Sequence, residues 1–274
     1  MKSLFTLSFM LLFTWTAIAQ SSKTPTVNLK KVLTLKPSSY ESGNGATVVW
    51  HPGLKRYFTS RAGNAVYPLD LFSAIGRRVS DEGLKTMFDV RGMWYNTMTK
   101  KVCMNGYNET GWASYLLNAK GIPEGVTPIV ERMNQPSENS VGCFDGLKSR
   151  VYFLSGTGIF AYNANNGSKI QEEEVFNFSK GINNAYELSL SEFESELPVF
   201  YNTVPIFTGI AQQEIGLLNY ELNQVDLYNM KTGMRSKVYR FPEGTVCESF
   251  LNVAFANGLF FIYDKEKAEW NGYK

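Results

Sequence analysis

The sequence has 274 residues, of which 44% are apolar, 14% aromatic and 19% charged, and this composition excludes a disordered chain. The formal net charge is only +2, which argues against nucleic acid or an anionic membrane as the main partner, because such binding draws on a concentrated basic field. The single histidine, His51, argues against a His-rich zinc site and against catalysis by a His-activated nucleophile.

The first residues have the pattern of a secretory signal peptide. Lys2 precedes a short apolar run, and the small residues Ala17 and Ala19 provide a cleavage site. Thr and Ser interrupt the run, which is shorter than the roughly 18 residues of a membrane span. We therefore expect residues 1–19 to be removed, and residues 20–274 to form one secreted or periplasmic domain with no membrane span in the mature chain.

A pattern of three short strand-like runs recurs about every 45 residues along the chain. Each copy starts with an apolar run that ends in an aromatic residue, and two further runs rich in Val, Ile, Phe, Tyr and Thr follow it after Gly or Asn turns. The clearest sign of duplication is the turn GLK, which follows the first run both at residues 53–55 and at residues 146–148. The pattern predicts strands, and no segment of the sequence has a convincing helical pattern.

Four of the five copies are followed by a candidate fourth strand, at residues 76–81, 127–132, 169–175 and 235–241. The last copy ends at Lys274 without one, but residues 28–35 at the amino end can supply it and close a ring. This rhythm resembles β-propeller folds over nearly all of residues 28–274, in particular the extracytoplasmic propellers of the NHL and YVTN-like repeat groups. The resemblance implies an all-β propeller of five blades of four antiparallel strands, closed by the N-terminal strand. It carries no function, because no motif of a functional family accompanies it.

The interval between the third and fourth copies is longer than the others by about half a blade. The excess, residues 171–205, is rich in Glu and in aromatic residues. It is expected to be an insertion loop, either a lid or recognition loop for a protein partner or a solvated surface loop. A sixth blade would have to lie in this segment.

Three cysteines, Cys103, Cys143 and Cys247, lie in strand-like runs. In an oxidising compartment an odd count leaves at least one thiol unpaired. None belongs to a CxxC pair, and a buried hydrophobic role is favoured over redox chemistry for each.

In a propeller, the residues just before the innermost strands converge on one mouth of the central channel. The innermost strands align on five aromatic residues: Trp50, Trp94, Phe144, Phe207 and Phe255. Polar residues then fall at the channel mouth, namely Asn44, Asp89, Asn139, Asn202 and Asn252. Such oxygens suit calcium or a hydroxyl-rich ligand such as a carbohydrate. The alternative is that they only form the turns that start strands.

Loops on the same face add aromatic and polar side chains. Arg61, Tyr107, Trp112 and Tyr220 are candidates for a carbohydrate platform, because sugar rings stack on aromatic faces while polar groups bind the hydroxyls. Packing between the blades is the competing role for aromatic residues in this chain.

We therefore predict a monomeric secreted binding or scaffold module, with a carbohydrate, a small molecule or a protein bound at the channel mouth. The alternative function is a carbohydrate-active hydrolase or lyase that uses Asp89, Glu109 or Glu248, since glycoside hydrolysis needs two carboxylates across the substrate. Calcium is the candidate cofactor, and no metal-ligand set is assigned.

Overall fold

The structure is a computed structural model that describes residues 24–37, 43–171, 176–177 and 200–274. Within these ranges the regular structure is β-strand, apart from one turn of 3-10 helix at Asn108–Thr110. The strands form five small sheets arranged in a ring, so the predicted five-bladed β-propeller is confirmed. No helix in the described ranges is long and apolar enough to cross a bilayer. The predicted signal peptide and most of the predicted insertion lie outside the described residues.

The described part of the chain starts with two short strands, and the blades then follow in order, each from the channel outward. The first two strands are β1 (Thr26–Asn28) and β2 (Lys31–Leu35). Blade one contains β3 (Asn44–His51), β4 (Arg56–Ala62) and β5 (Asp70–Ser73). Blade two contains β6 (Val90–Asn96), β7 (Lys101–Gly106), β8 (Trp112–Leu117) and β9 (Pro123–Val130).

The remaining three blades have the same order of strands. Blade three contains β10 (Cys143–Asp145), β11 (Arg150–Ser155), β12 (Gly158–Asn163) and β13 (Phe176–Asn177). Blade four contains β14 (Tyr201–Phe207), β15 (Ile215–Asn219), β16 (Gln224–Tyr228) and β17 (Arg235–Arg240). Blade five contains β18 (Val253–Ala256), β19 (Leu259–Asp264) and β20 (Glu269–Tyr273).

The N-terminal segment closes the ring, as predicted, and it also joins blade four. Strand β2 pairs antiparallel with β20 and becomes the outermost strand of blade five. Strand β1 pairs in parallel with β17 at the outer edge of blade four. Between the two strands, the N–H of Leu29 donates to the Arg240 carbonyl and the N–H of Lys30 donates to the Lys274 carbonyl, both at 2.8 Å. One short segment therefore ties two blades together.

Two of the predicted fourth strands are less regular than the sequence suggests. Residues 76–81 do not form a continuous strand. The N–H of Leu71 donates to the Ser80 hydroxyl, whereas in a regular strand pair it would donate to a backbone carbonyl. Of the candidate at residues 169–175, the structure describes residues 169–171, where Lys169 forms a bridge to Tyr162, and β13 follows at Phe176–Asn177. The other two candidates, residues 127–132 and 235–241, overlap β9 and β17. Blade one thus has three strands, and blade four has five with β1.

Aromatic side chains pack across every junction between neighbouring blades. In order around the ring, with the distance between ring centroids, the pairs are His51–Tyr95 (4.6 Å), Trp112–Phe153 (5.7 Å), Tyr152–Phe207 (5.7 Å), Tyr239–Phe260 (5.1 Å) and Phe261–Tyr57 (5.5 Å). Burying one such side chain contributes about 1.5–3 kcal/mol, and an aromatic pair about 0.5–1.5 kcal/mol more. The core is therefore distributed over the five junctions.

A buried amide on β7 ties blade two to the segment that leads into blade three. The Asn105 side chain donates from Nδ2 to the Gln135 Oε1 at 2.8 Å and to the Ser140 carbonyl at 2.7 Å. Its Oδ1 accepts the N–H of Gly142 at 3.0 Å. Asn105 is 0% exposed, so these bonds satisfy groups that water does not reach.

We predict that Asn105→Ala lowers the free energy of unfolding by about 2–4 kcal/mol, because it leaves buried backbone groups without partners at about 1–3 kcal/mol each. The matched control is Asn166→Ala, which removes an exposed bond to the Ser168 N–H and should cost less than about 1 kcal/mol. Urea unfolding of both variants measures the difference. Equal losses would contradict the assigned role of Asn105.

Candidate functional site

The central channel is surrounded by the first strand of each blade. Strands β3, β6, β10, β14 and β18 each lie at one end of their sheet and contact one another in cyclic order. Each inner strand pairs on its outer side only, so the backbone N–H and C=O groups on its inner edge point toward the channel. Groups of this kind need water or a ligand as a partner.

A cavity of about 270 Å³ lies in this channel, toward the carboxyl ends of the inner strands. We call it the channel cavity. Every blade contributes at least one aromatic residue to its lining: Trp50 from blade one, Trp94 and Tyr95 from blade two, Phe144 from blade three, Phe207 from blade four and Phe255 from blade five. Its lining extends to Pro52 and Asn257, which are exposed, and it includes no charged side chain among the described residues.

The composition of the channel cavity limits what it can bind. Aromatic faces and unpaired strand edges suit a ligand that has apolar ring faces and hydroxyl or amide groups. An ionic ligand would find no opposite charge among the described lining residues, and desolvating its charge would be costly. The cavity is therefore suited to a small neutral molecule.

The structure brings two of the predicted mouth residues together around an arginine that sequence reasoning missed. Arg91, on β6, donates from Nη1 to Asp89 Oδ1 at 2.7 Å and from Nε to Asn139 Oδ1 at 3.0 Å. Its guanidinium lies 4.5 Å from the centroid of the Tyr107 ring. The Tyr107 hydroxyl donates to Glu138 Oε2 at 3.0 Å, and this bond raises the pKa of Tyr107. The five residues form one network, which we call the mouth network.

The mouth network does not fit a calcium site. The Arg91 guanidinium already donates to Asp89 Oδ1 and Asn139 Oδ1, so a divalent cation would meet a like charge at the same place. Arg91 is 5% exposed and its ion pair with Asp89 is partly buried, so displacing it would be costly. The described residues contain no group of three or more His, Cys, Asp or Glu side chains that could hold a metal ion.

The other predicted mouth residues are placed apart from this network. Asn202 is 0% exposed, and its Nδ2 donates to the carbonyls of Glu248 and Leu251 at 2.7 and 2.6 Å. It thus ties blade four to the segment before blade five, as Asn105 does between blades two and three. Asn252 is also 0% exposed, and its backbone N–H donates to the Gly45 carbonyl at 3.0 Å. Asn44 is half-buried at the start of β3.

The structure places the residues of the predicted carbohydrate platform in separate environments. Trp112 is 1% exposed and packs in the core between blades two and three, so its ring faces are covered by protein. Arg61 is buried and hydrogen-bonded to the Tyr263 side chain, an interaction that lowers the pKa of Tyr263, although burial raises that pKa overall. Tyr220 is half-buried and contacts the Phe200 ring edge-on at 6.2 Å. None of the nine predicted ligand-binding residues lines the channel cavity.

The three candidate catalytic carboxylates each have a protein partner. Asp89 is paired with Arg91, and Glu248 forms an ion pair with Lys265. Glu109 is exposed, and its Oε2 accepts the N–H of Met133 at 3.4 Å. None of the three lines the channel cavity.

The three cysteines are free thiols. Burial raises the pKa of Cys103 and Cys247 to about 12, and it raises the pKa of Cys143 as well. Because the thiolate is the reactive form, these side chains behave as small apolar groups at neutral pH.

Two features of the site were not assigned from the sequence. Arg91 lies two residues after Asp89, and no local pattern marks an arginine that will bridge two blades. The aromatic residues that line the cavity were used to align the repeat and were assigned to packing between blades. They do pack in or against the buried clusters, but their second role as cavity lining was not assigned. Their recurrence near the end of every inner strand was the available signal, since such positions lie at similar heights around the same channel.

No family model matches the sequence, and no curated protein matches it. Among solved structures, the chain is similar to the glutaminyl cyclase of Myxococcus xanthus, with a TM-score of 0.53 and 12% identity over 92% of this chain and 98% of that one. It is also similar to the calcium-binding protein regucalcin from Agrobacterium tumefaciens strain C58, with a TM-score of 0.50 and 11% identity over 92% and 97% of the two chains. At such identities the similarity shows the fold alone, which is that of a β-propeller.

The only histidine accepts a turn hydrogen bond beside the cavity. His51 Nδ1 accepts the N–H of Leu54 at 3.2 Å, which assigns the proton of the neutral ring to Nε2. At the equivalent turns, Asn96 Oδ1 accepts the N–H of Met98 at 3.0 Å, and Asp145 Oδ1 does the same for the third blade. Burial lowers the pKa of His51 below its usual 6.5.

We predict that the contribution of His51 to stability is fully present above pH 6.5 and is lost as the pH falls toward its lowered folded-state pKa, because the unfolded chain binds the proton more readily. His51→Asn keeps a hydrogen-bond acceptor for the turn, as Asn96 provides in blade two, but removes the titratable imidazole. The free energy of unfolding of both proteins between pH 5 and pH 7 is the measurement. A stability difference between them that does not change with pH would show that His51 does not titrate in this way.

Proposed function

We propose that this protein is an extracytoplasmic binding module that takes a small uncharged, ring-bearing molecule, with a carbohydrate as the first candidate, into the channel cavity. The observation that carries the proposal is the lining of that cavity, which combines at least one aromatic residue from every blade with no charged side chain among the described residues. Export is expected from the signal-like pattern of residues 1–19.

The size of the channel cavity supports a small ligand. A volume of about 270 Å³ is close to the lower end of the range of about 300–1000 Å³ for small-molecule sites. A ligand of one or two rings would occupy it, whereas a longer chain would have to extend through the open end. The hydroxyl groups of such a ligand would replace water on the unpaired edges of the inner strands.

The arrangement of acidic groups favours binding over catalysis. A glycoside hydrolase needs carboxylates beside the bound sugar, and the alternative lyase would use one of the same three candidate carboxylates as its base. Asp89, Glu109 and Glu248 do not line the channel cavity, and each is bound to another part of the protein. Binding without turnover is therefore the better supported function.

We predict that a neutral mono- or disaccharide raises the melting temperature of the purified protein by about 5–10 °C at roughly 100 times its dissociation constant. Such a ligand adds about 2.7 kcal/mol to stability, and each kcal/mol corresponds to about 2–4 °C for a domain of this size. A panel of neutral sugars and other small neutral ring compounds is scanned by thermal melting.

Two variants locate the site of the ligand that gives this shift. Phe144→Ala removes a half-buried ring that lines the cavity, and Phe160→Ala removes a half-buried ring of the same blade outside it. We expect the shift to disappear only with the first. A shift that survives Phe144→Ala but is lost in Asp89→Ala/Asn139→Ala would move the site to the mouth network. No shift with any compound would contradict the proposal, and sugar turnover abolished by Glu248→Gln would favour the enzyme.

A further inference from the structure

The turns that follow the inner strands of blades one to three are dense in cationic side chains. Six of these residues lie in the turns or at the first position of the next strand: Lys55, Arg56, Lys100, Lys101, Lys148 and Arg150. A seventh, Lys120, lies in the turn between β8 and β9 of blade two. We call these seven residues the basic rim. Arg56 and Arg150 are half-buried and the five lysines are exposed.

Contacts between the turns make the basic rim one continuous surface. Arg56 Nη1 donates to the Lys120 carbonyl at 2.8 Å, which joins blade one to the outer turn of blade two. In the same place the Leu54 side chain lies against Gly121. On the other side of blade two, Gly146 of the third turn lies against the Thr97 side chain of the second.

Among the described residues, no carboxylate forms an ion pair with the basic rim. The one carboxylate in the three turns is Asp145, which is 2% exposed and bonded to the N–H of Leu147 and the hydroxyl of Tyr152. None of the seven cations forms an ion pair with a described residue. Cations elsewhere in the described ranges do so, among them Arg78, Arg91, Arg235, Lys265 and Lys267. Seven like charges on one surface repel one another, and an anionic partner would relieve that repulsion.

Two large apolar side chains project from the same turns. Leu147 is 93% exposed and Met98 is 73% exposed. They occupy the turns of neighbouring blades and are flanked by Lys100 and Lys148. Cationic residues beside exposed apolar tips are the combination that a lipid surface stabilises, because the headgroups attract the charges while the apolar tips enter the boundary of the acyl chains.

We propose that the basic rim docks this protein on the surface of a bilayer that contains anionic lipid. A soluble polyanion would bind the cationic side chains but would not bury the exposed Leu147 and Met98. A lipid surface would do both, so we favour the lipid. The formal net charge of +2 argued against an anionic membrane as the main partner, but a net value does not report how charge is distributed. Docking in this way would turn the open end of the channel cavity, at Pro52 and Asn257, toward the membrane.

The test is co-sedimentation of the purified protein with phosphatidylcholine vesicles, with and without about 30% phosphatidylglycerol, at about 0.1 M salt. We expect binding only to the anionic vesicles, and a loss of at least about tenfold in Lys100→Glu/Lys101→Glu/Lys148→Glu. The matched control is Lys30→Glu/Lys85→Glu/Lys274→Glu, which changes the net charge equally at exposed lysines outside the rim and should bind like the parent protein.

A second pair of variants separates a lipid from a soluble polyanion. Met98→Ser/Leu147→Ser should weaken vesicle binding, whereas Val66→Ser/Val246→Ser, at similarly exposed residues outside the rim, should not. No binding to anionic vesicles, or an equal loss in both lysine variants, would overturn the proposal. Vesicle binding that Met98→Ser/Leu147→Ser leaves unchanged, together with equal binding to soluble heparin, would assign the rim to a soluble polyanion instead. Circular dichroism confirms that every variant is folded.

Discussion

Each blade of this protein has two apolar faces that it cannot cover by itself, and the rest of the structure depends on this constraint. Every junction between blades contains an aromatic pair, so removing one neighbour would expose large rings on both sides. The ring must therefore close. Strands β1 and β2 close the ring by pairing with the outer strands of blades four and five. This pairing uses backbone hydrogen bonds, which do not depend on the identity of the side chains.

Closure of the ring also creates the candidate site. Five inner strands around one axis cannot pair with each other across it, so their free edges and at least one aromatic side chain from each surround a cavity. The turns beside the cavity are held by side-chain acceptors that differ between blades, namely His51, Asn96 and Asp145. The repeat has kept the hydrogen bond while changing the residue, because any acceptor of suitable reach can bind the turn N–H.

The two ends of the channel differ in how their charges are arranged. At the amino ends of the inner strands, Arg91 forms an ion pair with Asp89 and lies under the Tyr107 ring, and the second carboxylate of the mouth network, Glu138, accepts hydrogen bonds from Tyr107 and Asn139. At the carboxyl ends, the basic rim has no ion-pair partner among the described residues, and Leu147 and Met98 project beside it. Charged groups that are bound within such a network stabilise the fold, whereas charges without protein partners are available for a binding partner. Net charge cannot distinguish these cases, since both ends contribute to a sum near zero.

The sequence by itself determined the strands, the repeat, the five blades and the closure by the N-terminal segment, because these follow from local alternation and from spacing along the chain. It also placed Asp89 and Asn139 near one another. Only the tertiary structure decided that Arg91 lies between them, that Asn202 turns inward to bind the segment before blade five, and that the cavity lies at the opposite end of the inner strands. The physical reason is that a side chain's partners belong to neighbouring blades, at sequence separations that no local pattern records.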